Sequence, residues 1–99
     1  MKKNLDTPVL DLDGMQMIER VRDQNRVATV RHYIINALAF GNGQPLTGEE
    51  KIGRYKLAMR LHECTEYDFV SEELSLIKRA VEPVYPALIV GRVFDWADE

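Results

Sequence analysis

Helix punctuation is the feature that most limits what this chain can fold into. Thr47-Gly48-Glu49-Glu50 reads as a capping box, in which the Thr hydroxyl accepts an N–H and Glu50 reaches back to the cap. Ser71-Glu72-Glu73 supplies a second start, with acidic residues placed to complement the positive end of a helix. Gly41-Asn42-Gly43 reads as a stop, and Pro83 and Pro86 end or bend whatever precedes them because neither donates a helical hydrogen bond.

Between these marks the apolar residues recur at helical spacing. Val27, Val30, Ile34, Ala37 and Leu38 predict a helix over 27–40. Ile52, Tyr55, Met59 and His62, widened by Ala58 and Leu61, predict a buried stripe on a helix over 48–64, with Lys56, Arg60 and Glu63 outward and Glu50 and Arg54 as an i,i+4 pair. Leu74, Ile77 and Val81 predict a helix over 71–82. Leu88, Val90, Val93, Phe94 and Ala97 predict another over 87–97.

The N-terminal part has a different period. Val9 to Ile18 alternates around Asp13-Gly14, a strong short-range signal for a two-residue hairpin turn, so 5–19 is read as a β-hairpin. That register sets Leu12 opposite Met15, Leu10 opposite Met17 and Asp11 opposite Gln16, giving one oily face and one polar face. The fold class predicted is therefore mainly α: three to four short helices around one core, preceded by a small β-hairpin, with residues 1–99 as a single domain. A chain of 99 residues that is 45% apolar can supply one such core.

Thirteen Lys and Arg against 16 Asp and Glu leave a net charge of −3, which argues against nucleic-acid binding through overall charge. The single cysteine, Cys64, excludes an intrachain disulfide and fits a reducing compartment. Met1-Lys2-Lys3 leads into no apolar run of signal-peptide length, and no segment approaches the roughly 18 apolar residues needed to cross a bilayer. The expectation is a soluble, cytoplasmic protein with no membrane partner.

The residues capable of chemistry each have a sufficient structural explanation. Asp11-x-Asp13-Gly14 resembles the start of a calcium loop, but Gln16 and Arg22 stand where that loop needs Gly and Glu. His32 and His62 lie on separate predicted helices without metal-ligand spacing. Cys64 is two residues from His62, and on a helix such residues point in different directions, so the thiol lacks an adjacent base. Glu49/Glu50 and Glu72/Glu73 sit at helix starts. We therefore expect no catalytic residue, no metal and no cofactor.

Interaction surfaces remain. The candidate partner-binding residues are Asp11 and Asp13 on the hairpin, Arg22 and Arg26 in the basic stretch from Arg20 to Arg31, and Phe94 and Trp96 on the last helix. A hairpin edge and an apolar final helix also predict self-association into a homo-oligomer. A small regulatory nucleic-acid binder using Arg20 to Arg31 and the basic side of the 48–64 helix is the alternative.

Several segments resemble small proteins encoded by temperate phages and prophages. They are Leu46-Thr47-Gly48-Glu49-Glu50-Lys51, Arg54-Tyr55-Lys56-Leu57-Ala58, Glu72-Glu73-Leu74-Ser75-Leu76-Ile77-Lys78 and Tyr85-Pro86-Ala87-Leu88-Ile89-Val90-Gly91-Arg92, with the N-terminal Leu10-Asp11-Leu12-Asp13-Gly14. One departure is visible: Val70 stands where those proteins carry a capping Thr, so Ser71 would cap one residue later. The resemblance implies a phage setting in a bacterial cell, either virion-associated or directed at a host factor, with protein–protein interaction and no assigned catalysis.

Overall fold

The computed structural model describes residues 1–41 and 45–99, with Val21 by its backbone alone. In chain order these form β1 (Lys2–Asn4), β2 (Ile18–Val21), β3 (Gln24–Val27), α1 (Val30–Phe40), α2 (Gly48–Leu61), β4 (Glu66–Asp68), α3 (Ser71–Val81) and α4 (Ala87–Asp98). Four helices with small antiparallel strand pairs bear out the mainly α fold class. Asn42 and Gly43 of the expected helix stop lie outside the described residues. Gly41 lies within them, and its N–H bonds to Ala37 O at 3.2 Å.

The helices pack around α1, which touches α2, α3 and α4. Its buried residues Val30, Ile34, Ala37 and Leu38 follow the predicted period, whereas Val27 belongs to β3. Leu74, Ile77, Ala80 and Val81 of α3 and Ile89, Val93, Trp96 and Ala97 of α4 complete the core with Leu5, Val9 and Phe69. The Thr47 capping box forms as read: Glu50 N donates to Thr47 Oγ1 at 3.1 Å, and Thr47 N donates to Glu50 Oε1 at 3.3 Å. The start of α3 differs. Val70, not Ser71, occupies the cap position, and having no side-chain oxygen it caps through its backbone: its N–H is donated to Glu73 Oε1 at 3.0 Å and its carbonyl accepts from Glu73 N and Leu74 N at 3.1 and 3.2 Å.

The N-terminal strands also differ from the expected register. Asp11 Oδ1 accepts from Asp13 N at 2.9 Å and from Met15 N at 3.0 Å, while Gly14 N donates to Asp11 O at 3.1 Å. With Gly14 at φ +81°, the loop is three residues long, Leu12 to Gly14, instead of two. Leu10 therefore bridges Gln16 in place of Met17. A one-residue slip moves side chains to the opposite face. Leu12 is accordingly 87% exposed and Met15 66% exposed, so the oily pair expected there does not form.

A regular hairpin follows where none is predicted. β2 and β3 pair as Ile18↔Val27, Glu19↔Arg26 and Arg20↔Asn25, around Arg22 and Asp23 at φ 51° and 65°. Two consecutive left-handed residues are the signature of a tight hairpin turn, normally signalled by Asn-Gly or Asp-Gly. Arg-Asp hides it. The other pair, β1 with β4, joins residues more than 60 positions apart in sequence, Lys2↔Asp68 to Asn4↔Glu66.

The largest correction concerns α2. Its buried residues are Arg54, Leu57, Ala58 and Leu61, while Ile52, Tyr55 and Met59 are 54%, 60% and 60% exposed. Ala58 and Leu61, expected at the margin of the stripe, are buried as expected, while its expected centre faces out; the two arcs both satisfy a helical period and lie about a third of a turn or more apart at 100° per residue. Arg54 at the head of the true inner stripe masks it in the sequence.

Two predictions follow from this packing. A Cβ at Gly41 would sit 2.4 Å from Ala37 O, a backbone atom that cannot step aside. Gly41→Ala should therefore lower unfolding free energy by about 1–3 kcal/mol in urea denaturation. Burial also raises the phenol pKa values of Tyr33, Tyr67 and Tyr85 above the ordinary 10.0, Glu19 adding to it for Tyr33 and Glu73 for Tyr67. The fold favours the neutral phenols, so their stabilisation is complete below pH 10 and is lost as pH rises through the raised values. Ultraviolet titration should show three of the four tyrosines ionising late, together with alkaline unfolding.

Candidate functional site

Two surfaces gather the side chains that could act on something else. The first is a polar cleft of about 490 Å³ between the β2–β3 hairpin and α1. Glu19 points inward from β2, its side chain only 5% exposed, and its carboxylate meets Arg26 Nε from β3 through Oε1 and His32 Nδ1 from α1 through Oε2. Arg26 is its cross-strand neighbour. Asn36, one turn along α1, lies 3.4 Å from His32 Nε2. His62, from the end of α2, lines the same cleft, so the fold brings the two histidines to one place.

The cleft has the parts of an oriented imidazole, but every nearby charge is engaged. Arg31 donates to Asp6 Oδ1 at 2.5 Å and to the Cys64 carbonyl. Cys64 Sγ donates to Arg60 O at 2.9 Å, which commits the thiol to its own helix end. Among the described residues no group of three or more His, Cys, Asp or Glu is arranged to hold a metal ion. What the Glu19 cluster visibly does is staple the hairpin to α1.

The residues singled out from the sequence scatter. Asp11 is spent on its turn, and its carbonyl and that of Leu10 accept from Arg92 of α4 at 2.7 and 2.9 Å. Asp13 is exposed beside it, and Arg22 is exposed at the tip of the second hairpin. Arg26 belongs to the Glu19 cluster. Phe94 is half-buried beneath Lys78, whose Nζ lies 5.3 Å from the ring centroid. Trp96 is not a surface residue: it is 5% exposed, packs edge-on to Phe69 and donates Nε1 to Asn4 O at 2.9 Å. Arg26 and Arg31 are paired to carboxylates and Arg20 to Asp23, which leaves Arg22 as the arginine of the Arg20–Arg31 stretch with no ion pair among the described residues.

The second surface is one the sequence reading placed in the core. Ile52, Tyr55 and Met59 stand at i, i+3 and i+7 on the outer side of α2, more than half exposed. Phe40, at the end of α1, is 77% exposed and shares a second cleft with Tyr55. Scattered exposed apolar residues are ordinary, but an aligned row with a neighbouring aromatic is the form of a docking stripe. Counting both arcs of α2 would have shown that Leu57, Ala58 and Leu61 suffice to seat the helix. No helix of the described residues is long and apolar enough to cross a membrane.

Comparison with protein-family models, with curated proteins and with solved structures returned no match.

The Glu19 cluster generates a ranked prediction. Glu19→Ala strips two cationic or donor groups of their acceptor inside the fold and should cost about 1–3 kcal/mol. Arg26→Ala leaves the Glu19 carboxylate, only 5% exposed, without its donor on Oε1 and should cost at least as much, about 2–4 kcal/mol, although the guanidinium itself is 62% exposed. Chemical denaturation of both variants checks the order.

Proposed function

We propose that this protein is a non-catalytic binding module that docks another protein on the outer face of α2. The observation that carries the reading is the exposed row of Ile52, Tyr55 and Met59 on a helix whose opposite face already fills the core. Helix-in-groove recognition uses anchors at this spacing, with aromatic and methionine side chains supplying most of the contact. The resemblance to small temperate-phage and prophage proteins supports a phage setting within a bacterial cell, where the partner would be a virion-assembly component or a host factor. A second copy of this chain is the homo-oligomeric form of the same reading.

The test uses a photoreactive amino acid in place of Tyr55, with the same replacement at the exposed Glu72 of α3 as control. In producing cells, position 55 should cross-link one reproducible partner and position 72 should not. Ile52→Glu with Met59→Glu should abolish that product while changing stability by no more than about 0.5 kcal/mol per site, as for other exposed positions. Equal labelling from both positions, or none from position 55, would sink the reading. Sedimentation then separates a self-pair from a foreign partner.

A further inference from the structure

Beside the docking stripe, on the inner side of α2, is a cation without a partner. Arg54 is only 6% exposed, and its Nε is enclosed with no hydrogen bond. No carboxylate pairs with it among the described residues. Glu50, one turn earlier and the natural i,i+4 partner, is held by the Thr47 cap. Arg60, farther along the helix, faces Glu73 instead. The other strong influence on Arg54 is a like charge, Arg79, which together with burial pulls the guanidinium below its ordinary pKa; Glu50 raises it. An arginine stays cationic through such shifts.

Enclosing the Nε of an arginine with no acceptor, and with no carboxylate paired to its charge among the described residues, costs stability that a Met or Leu of similar reach would not. Its surroundings say what would neutralise it. Arg54 and Lys51 line a cleft of about 470 Å³ whose other walls include Leu38, Phe40, Leu46 and Tyr55. That volume lies in the range of small-ligand pockets, which are mostly apolar with a few placed polar groups. A guanidinium presents a planar fork that matches a carboxylate with two parallel hydrogen bonds, and an ammonium one turn away adds a second attraction. Inorganic anions would leave the aromatic and aliphatic walls uncovered.

We propose that this cleft binds an organic carboxylate, its anionic head on Arg54 and Lys51 and its apolar body against Phe40, Leu46 and Tyr55. The head can belong to a free acid or to an acidic side chain presented by a docked protein. The chemistry at Arg54 is the same in both.

The test is a nuclear magnetic resonance titration of the whole chain with octanoate, 1-octanol and inorganic phosphate. Octanoate should bind saturably, shift the amides of Leu46, Lys51 and Tyr55, and bind at least about tenfold tighter than octanol or phosphate. Arg54→Met should erase the preference for octanoate over octanol to within about twofold, with a melting temperature no lower than that of the unaltered protein. Lys51→Ala, at an exposed position, is the second variant and should weaken octanoate about threefold or more. Equal binding of octanoate and octanol, no binding of octanoate, or a preference that survives in Arg54→Met would each overturn the proposal.

The source of the head group is read from a further arm, the peptide acetyl-Leu-Leu-Glu-Leu-amide and its Gln counterpart. If the Glu peptide binds tighter than octanoate and the Gln peptide does not, the head comes from a protein side chain; the reverse order assigns a free acid. Failure here is distinct from failure of the docking stripe, because Ile52→Glu with Met59→Glu removes partner capture and leaves the octanoate preference in place.

Discussion

The indole N–H of Trp96, donated to the carbonyl of Asn4, is the contact on which the rest of the architecture leans. It fixes the last helix against the first strand, and neighbouring bonds extend the clasp. Leu5 N donates to Thr65 O, Arg31 N donates to Leu5 O, and Lys3 Nζ donates to Glu99 O. One short extended segment thereby joins the start of α1, the connector between α2 and α3, and the end of α4. A large aromatic with a polar edge suits this role, because its ring can fill the core beside Phe69 while its N–H satisfies a backbone carbonyl at the margin.

The second organising choice is the rotation of α2. Seating the helix on Leu57, Ala58 and Leu61 has two consequences at once: it turns Ile52, Tyr55 and Met59 to the outside and carries Arg54 inward, where no carboxylate among the described residues pairs with it. Either feature alone would be an ordinary irregularity. Both come from one rotation, and Arg54 and Tyr55 meet at the cleft where α1 ends and α2 begins. Neither is needed for the core, to which α2 already contributes Leu57, Ala58 and Leu61 beside the residues of α1, α3 and α4. Features that cost stability without serving the core are where a small domain places its function.

The β2–β3 hairpin shows the same economy in reverse. Its Ile18 faces out at 60% exposure while Glu19 faces in, the opposite of the usual apolar-in arrangement. Arg26 makes that inversion tolerable by donating to Oε1, with the His32 ring set against Oε2. The hairpin is thus attached to the helices through charge and hydrogen bonding, where an amphipathic strand would use a greasy face.

Local chemistry was enough to read the helices. The Thr47-to-Glu50 box, the acidic start of α3 and the prolines before α4 act through neighbouring backbone groups, so their effect is written within a few residues. Elements that depend on distant partners were not legible. The β1–β4 pairing, the slipped register after Asp11 and the hairpin at Arg22-Asp23 follow from where the helices leave room, and Trp96 looked like a surface aromatic until Asn4 and Phe69 were brought to it. The face that α2 buries was decided in the same way: periodicity allows either arc, and only packing against α1 selects Leu57, Ala58 and Leu61. The sequence by itself determined that three to four helices form and roughly where each begins and ends, because capping and period are local. Tertiary structure alone decided which side chains are left exposed, because exposure is what remains after every element has chosen its neighbours.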